Sequence, residues 1–392
     1  MSWLHEVSIK DICDLITVKT NIKNASIENY ISTENMLPNF GGVEYAEKIP
    51  LSNTVNTFIP QDVLFSNIRT YFKKVWFSKF NGTVSADVLV FRARENCDSK
   101  FLYYLLCDPS FTEYTVLTSK GAKMPRGDKD AIFSYPVLLP SLKEQKAIAS
   151  LLSSLDEKID LLHRQNKTLE SMSETLFRQY FIEEAQEDWE DCNITDLFEI
   201  RDGTHASPKQ SLSGYPLVTS KHIGSGIIDF NNTYLISEED YSSINKRSKV
   251  EKFDILFSMI GTLGSTHIEL SDEINYAIKN VGLLKTSQNH DWKIYTYLWL
   301  LSSEGKDFIH ATKSGSTQEY ISLGSLRSIV FNKPDNNTLR KFNKIAEIHF
   351  DKIHENNKQI RTLEKLRNTL LPKLMSGEVR VEYAEKAIAS VA

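Results

Sequence analysis

The chain is written twice. Shifting it by 194 positions lays residues 155–181 (LDEKIDLLHRQNKTLESMSETLFRQYF) over residues 349–375 (HFDKIHENNKQIRTLEKLRNTLLPKLM), with eight of 27 positions identical. Thr168-Leu169-Glu170 meets Thr362-Leu363-Glu364, and Thr175-Leu176 meets Thr369-Leu370. Pro140 and Pro334 also coincide, each just ahead of the shared segment. Upstream, with a shift of 192, residues 62–68 (DVLFSNI) match residues 254–260 (DILFSMI). Further up, YISTENM (30–36) resembles LVTSKHI (217–223). The order of segments is the same in both halves. A period of about 190 residues is far longer than the ~20–45 residues of a solenoid repeat, so the duplicated object is a domain-sized unit.

Each unit has two parts. The first is a mixed region, with strand-like runs (VLFSNI, YPVLLP, DILFSMI, SIVFN) set among Gly, Asn and Ser turns and short helical patterns at 101–106 and 295–301. The second is a long helix. Ile148, Leu155, Leu162, Leu169 and Leu176 recur every seven residues, with Leu152, Ile159 and Tyr180 at the alternate seam position. Helical throughout, residues 145–183 would extend about 58 Å. So long an apolar stripe needs a partner, and Ile353, Ile360, Leu363, Leu370 and Leu374 of the second copy supply one. Asn166, Asn356 and Arg367 interrupt the two seams; polar seam residues cost stability and set register. Two unrelated core helices are the plain alternative, but length, period and duplication favour a paired coil. The expected fold class is α+β, with two mixed α/β domains and two long helices. The expected segments are a domain at 1–140, a helix at 141–187, a domain at 188–334, a helix at 335–380 and a tail at 381–392.

Composition narrows the function classes. Apolar runs are only a few residues long, so no span is expected to cross a bilayer, and the N-terminus lacks the pattern of a secretory signal. Cys13, Cys97, Cys107 and Cys192 are too far apart for metal or redox spacing, and reduced thiols in a cytoplasmic chain are expected. With 46 basic and 51 acidic residues the net charge is −5, so any polyanion must be met by local patches. Catalytic signatures are missing. There is no Walker-type phosphate loop and no GxSxG elbow, and His205, His222, His267 and His290 have no metal-ligand spacing. Asp108-Pro109-Ser110-Phe111 has the look of an amine-holding methyltransferase element, but no glycine-rich cofactor loop precedes it, and a helix ending at Asp108-Pro109 explains it better. Glu144-Gln145-Lys146 and Asp156-Glu157-Lys158 lie on the helical segment and read as solvated charge rather than as a nuclease centre.

Two polar, glycine-containing loops stand out: Lys313-Ser314-Gly315-Ser316-Thr317-Gln318, and residues 119–126 (SKGAKMPR) at the matching place in the first copy. Such loops offer backbone N–H groups, hydroxyls and cations to phosphates, while Gln suits adenine and Arg suits guanine. A solvated hairpin loop has the same composition.

Five segments together carry a resemblance. They are ENYISTENMLPNFGG (28–42), IRDGTHASP (200–208), SGSTQEYIS (314–322), LPSLKEQKAIASLLSSLDEKIDLL (139–162) and RTLEKLRNTLLPKLMSGEVRV (361–381). In this combination and order the chain resembles the specificity subunit of Type I restriction–modification systems. The resemblance implies that each mixed region is a target recognition domain reading half of a bipartite double-stranded DNA sequence. It also implies that the helices pair antiparallel as a spacer. Such a subunit has no catalysis and no cofactor of its own. It docks two methyltransferase subunits that bind S-adenosylmethionine, and restriction subunits that hydrolyse ATP join them. The resemblance and the loop chemistry together point to Thr33, Glu34, Asn35, Lys120, Lys123 and Arg126 as DNA-facing in the first domain. In the second they point to Thr204, His205, Lys221, His222, Ser314, Ser316, Thr317 and Gln318. Asn35 and Gln318 would suit adenine and Arg126 guanine, whereas Gly121 and Gly315 shape their turns. A coiled-coil adaptor that binds no DNA, a fused methyltransferase, and a decoy for methyltransferase subunits remain the competing readings.

Overall fold

Each mixed region is closed by pairing its own first and last strands. His5–Ser8 runs antiparallel to Pro136–Leu139, and Glu190–Asn193 runs antiparallel to Val330–Lys333. These are the strands flanking the duplicated prolines, so the repeat in sequence becomes the same closure made twice. The computed structural model describes residues 5–224, 226, 228–315 and 319–382. By packing, the chain forms two units: one takes it as far as Leu161 and resumes at Ile360, the other runs Leu162–Gln359.

In the first unit an antiparallel sheet has the order Cys13–Leu15, Val88–Ala93, Val63–Ser66, Val75–Phe77. In the second the order is Ile200–Asp202, Val281–Leu284, Ile255–Ser258, Thr266–Ile268. The matched runs VLFS and ILFS are central strands, buried along their whole length, which is why their apolar residues are continuous rather than alternating. Both units repeat a charge inside this sheet. The carboxylate of Asp62 accepts from Arg92 at 2.7 and 2.8 Å; Asp254, wholly buried, accepts from Lys285 Nζ at 2.5 Å.

A second, smaller sheet accompanies each. It comprises Lys19–Asn21, Thr54–Phe58, Gly82–Val84 and Tyr30–Ile31 in the first unit. In the second it comprises Tyr234–Ile236, Tyr215–Thr219 and Ala277–Lys279. The related segments YISTENM and LVTSKHI enter as strands with a parallel partner in both cases.

Paired helices pack on the main sheets, Ser99–Cys107 with Pro109–Leu117 and Lys293–Leu301 with Ser303–Thr312. Asp108 ends one helix and caps the next, accepting the Ser110 N–H at 2.7 Å with Pro109 at the first helical position. The methyltransferase-like motif is thus a helix junction.

The long helices span Leu142–Arg178, continued by a wider turn at Gln179–Glu183, and Asn336–Met375. Within each unit their segments run antiparallel. In the first unit, Leu152 and Leu155 share a core with Leu370, Leu371 and Leu374, and Arg367 donates to Asp156 at 2.8 Å. Asp156 also accepts from the Tyr104 hydroxyl at 2.7 Å, so it is an internal anchor and not solvated charge. In the second unit, Asn356 Nδ2 donates to Asn166 at 2.8 Å, and Ser173 lies 2.9 Å from His349, so partner numbers fall as the helix rises.

The seam departs from the heptads at its far end. Leu169, Leu176 and Tyr180 are half-buried, while Ser173, Phe177 and Phe181 are buried. A helix at 3.6 residues per turn drifts about 20° per heptad. That drift turns Phe177 and Phe181 onto Tyr295 and Phe342 of the same unit. Val381, at the start of the expected tail, is buried in the first unit's core.

Candidate nucleic-acid interface

In the first unit three loops are fastened to one another by backbone hydrogen bonds. The N–H groups of Asn39 and Phe40 donate to the carbonyls of Phe72 and Lys73, each at 2.9 Å, and the Arg69 N–H donates to Pro125 at 2.9 Å. Lys120 and Arg126 exchange N–H···O bonds of 2.8 and 2.9 Å, making a stem around Gly121, whose φ of +96° requires a residue without a side chain. Arg126 also bridges to Ile68, just beyond the central strand, and its guanidinium lies 3.0 Å from Asp87. Lys120 pairs with Asp128; Lys123 projects from the loop and has no ion pair among the described residues.

The second unit repeats this plan. Ser314 and Tyr320 exchange two bonds of 2.9 Å around Gly315 at φ +98°, and Tyr320 bridges to Ile260 beyond its own central strand. Ser316, Thr317 and Gln318, which the stem would carry, lie outside the described residues. In a separate loop of the same unit, the Thr204 N–H donates to the Ile278 carbonyl at 3.0 Å. His205 is pinned between Asp202, 2.8 Å from Nε2, and Asn280, 2.8 Å from Nδ1, with the ring still largely exposed.

Asn35 and His222 are corrected by the structure in the same way. Asn35 Oδ1 accepts the Ser32 N–H at 2.6 Å and its hydroxyl at 3.0 Å, while Nδ2 donates to the carbonyls of Tyr30 and Glu44. Both ends of the amide are committed, and the residue is 7% exposed, so it fastens the loop and has nothing left for adenine. His222 Nδ1 accepts the Thr219 N–H at 3.0 Å, three residues back as in Asn35, and the ring is 1% exposed. Burial, reinforced by the Lys221 charge, pushes its pKa below the ordinary imidazole value. The two are one local cap in two chemistries. What each cap presents outward is Glu34 in the first unit and Lys221 in the second, both exposed. Thr33 beside Glu34 is half-buried, its carbonyl accepting from Lys74 at 2.6 Å.

Sequence reasoning does not single out the turn at residues 67–74, where Arg69, Tyr71, Phe72 and Lys73 sit between the loops just described. Its signal is present as cations and aromatics interleaved directly behind VLFSNI. Among the described residues no His, Cys, Asp or Glu group is placed to hold a metal, and no helix is long and apolar enough to cross a membrane. The four cysteines are buried thiols; burial pushes that of Cys97 up to about 12.

Known proteins are similar to this chain in sequence and in fold. The family described as Type I restriction modification DNA specificity domain matches residues 2–171 and again 186–365. The Type I restriction enzyme MjaIX specificity subunit of Methanocaldococcus jannaschii is 26% identical over 309 residues, covering 72% of this chain and 70% of the relative. The MjaVIII specificity subunit of the same organism is 24% identical over 307 residues, covering 73% and 71%. The crystal structure of the Type-I restriction-modification system S subunit from M. genitalium aligns with a TM-score of 0.57 over 95% of this chain and 96% of that one, at 17% identity, a likeness of fold. Matched across both copies of its duplication, the chain belongs to the Type I restriction–modification DNA specificity family.

Proposed function

We propose that each mixed domain reads one half of a bipartite double-stranded DNA target, and that the helix pair sets the gap between the halves. The chain directs chemistry without performing it. It docks two methyltransferase subunits that supply S-adenosylmethionine, and restriction subunits that hydrolyse ATP complete the cytoplasmic complex. The observation that carries this reading is the repeated loop platform. The same stem, bridged beyond the central strand of the main sheet, and the same cap, behind a strand of the smaller sheet, recur in both units, yet they present unlike side chains. Glu34 suits the cytosine amine, and Lys221 suits guanine or phosphate. Arg126 suits guanine, and Gln318 suits adenine. Thr33, Lys120 and Lys123 in the first domain, and Thr204, His205, Ser314, Ser316 and Thr317 in the second, complete the contacts, mostly to phosphates. Unlike side chains on like platforms imply unlike half-sites. A net-acidic chain can act this way because local cations release counterions wherever phosphates are met.

The test is to co-express the chain with its neighbouring methyltransferase and map N6-methyladenine across the host genome. The expected result is one split motif, two unlike half-sites around a fixed unspecified gap. A stable complex that methylates no defined sequence would overturn the reading in favour of a decoy.

A further inference from the structure

The turn between Val63–Ser66 and Val75–Phe77 has features that base reading by the neighbouring loops does not use. Thr70–Phe72 forms one tight turn, bracketed by Arg69 at φ +50° and Lys73 at φ +54°. Both are left-handed conformations that side-chain-bearing residues rarely adopt. The second unit makes the corresponding turn without strain, with Gly261 and Gly264 both at φ +81°. A relaxed solution therefore exists in the same chain, and the first unit forgoes it to keep two cations. Neither Arg69 nor Lys73 has an acidic partner among the described residues.

At the tip, Tyr71 and Phe72 are 48% and 40% exposed, with ring centroids 4.7 Å apart. Lys74 Nζ stands 5.9 Å from the Phe72 centroid, and a large part of each ring is still left to solvent. The turn is also rigidly held, by the Asn39, Phe40 and Arg69 bonds described above and by Lys74 Nζ to the Thr33 carbonyl. It is thus fixed to both loops proposed to face DNA. Unpaired cations beside the rings select a polyanion, and an aromatic pair among phosphate-seeking cations suits an unstacked base step.

We propose that Tyr71 and Phe72 form an aromatic wedge that enters the base stack of the first half-site and opens one step, with Arg69 and Lys73 on the flanking phosphates. The second domain, with only Thr262-Leu263 between its two glycines, has no wedge. The inference rests on the DNA-reading function proposed above.

The test uses the complex with its methyltransferase and duplexes of the mapped target. 2-Aminopurine is placed in turn at positions of each half-site other than the methylated adenine, which a methyltransferase itself extrudes. Binding is expected to raise fluorescence at one step of the first half-site and at none of the second. Tyr71→Ala/Phe72→Ala should abolish that rise and weaken binding about tenfold. Arg69→Gly/Lys73→Gly should melt higher than the native chain yet bind more weakly, with a shallower salt dependence, a combination that misfolding does not produce. Specific binding with no fluorescence rise, or with a rise the alanine variant keeps, overturns the wedge and leaves the DNA-reading function standing. Loss of complex formation with DNA affinity intact would reassign the pair to a protein contact. Failure of the native complex to bind any defined sequence overturns both.

Discussion

Asp254 is completely removed from water and Lys285 is 2% exposed, so this pair is held by its own geometry rather than by solvent. Lys285 Nζ donates to Asp254 at 2.5 Å, to Glu251 at 2.7 Å and to the Lys249 carbonyl at 3.1 Å. Lys285→Met leaves a buried carboxylate with its cation gone and should destabilise the second unit by about 3–5 kcal/mol in urea unfolding. Asp254→Asn added to it should recover much of that loss. Arg92→Met at the matching site should cost less, because Arg92 is 37% exposed and water can reach the vacancy. Glu269 gives an acid-side counterpart. Burial works to raise its pKa, but His267, the Ser271 N–H and the Tyr276 hydroxyl outweigh burial and hold it at about 2, against 4.5 unperturbed. The stabilisation, about 3 kcal/mol, is fully present above pH 4.5 and is lost as pH falls towards 2. Glu269→Gln should flatten that part of the acid-unfolding curve. At this scale sequence reading is weakest. The polar residues of YISTEN and LVTSKH are visible as loop residues, but whether Asn35 turns its amide inward or Glu34 its carboxylate outward depends on a three-residue cap that composition does not encode.

The helix pair is a separate case, where periodicity carries most of the information. Ile148, Leu152, Leu155, Ile159 and Leu162 are all buried, as seven-residue spacing expects, and so are Ile353, Ile360, Leu370 and Leu374. Legibility ends where the partner changes. Past Leu162 the stripe must satisfy both an antiparallel helix and an aromatic core, and a strict heptad cannot describe a helix that turns from one to the other. The polar seam residues survive the transition because they meet each other. Asn356, fully buried, donates to Asn166 at 2.8 Å and Gln165 at 3.0 Å, and Asn166 donates to Asn357 at 2.8 Å. Asn356→Leu alone should therefore destabilise by about 1–3 kcal/mol, since the buried Asn166 acceptor is left unmet while water can reach that of exposed Gln165. Asn166→Leu with Asn356→Leu should return to native stability or exceed it, and the double variant should show register heterogeneity by cysteine crosslinking. A double variant that is no more stable than the single one would mean that these amides hold the seam by packing rather than by pairing.

For the whole molecule, the duplication was the decisive sequence observation because it is independent of side-chain detail. Two copies of one order of segments become two closures, two sheets with the same strand order and two loop platforms. Division into compact units was harder to read: composition breaks the chain between its mixed regions and its helices, whereas packing divides each long helix between Leu161 and Leu162 and between Gln359 and Ile360. A long-range partner decides that division, and a linear pattern carries no partner. The proposed spacer role is testable at this scale. Ser171 and Asp351 are both exposed on their helices, and one extra turn after each keeps the seam matched because the segments run antiparallel. One turn adds about 5.4 Å against about 3.4 Å per base pair. The methylation motif of the lengthened complex should then show a gap one or two base pairs longer, with both half-sites unchanged in their letters. Changed letters at an unchanged gap would mean that the helices position the reading loops rather than measure the distance between half-sites.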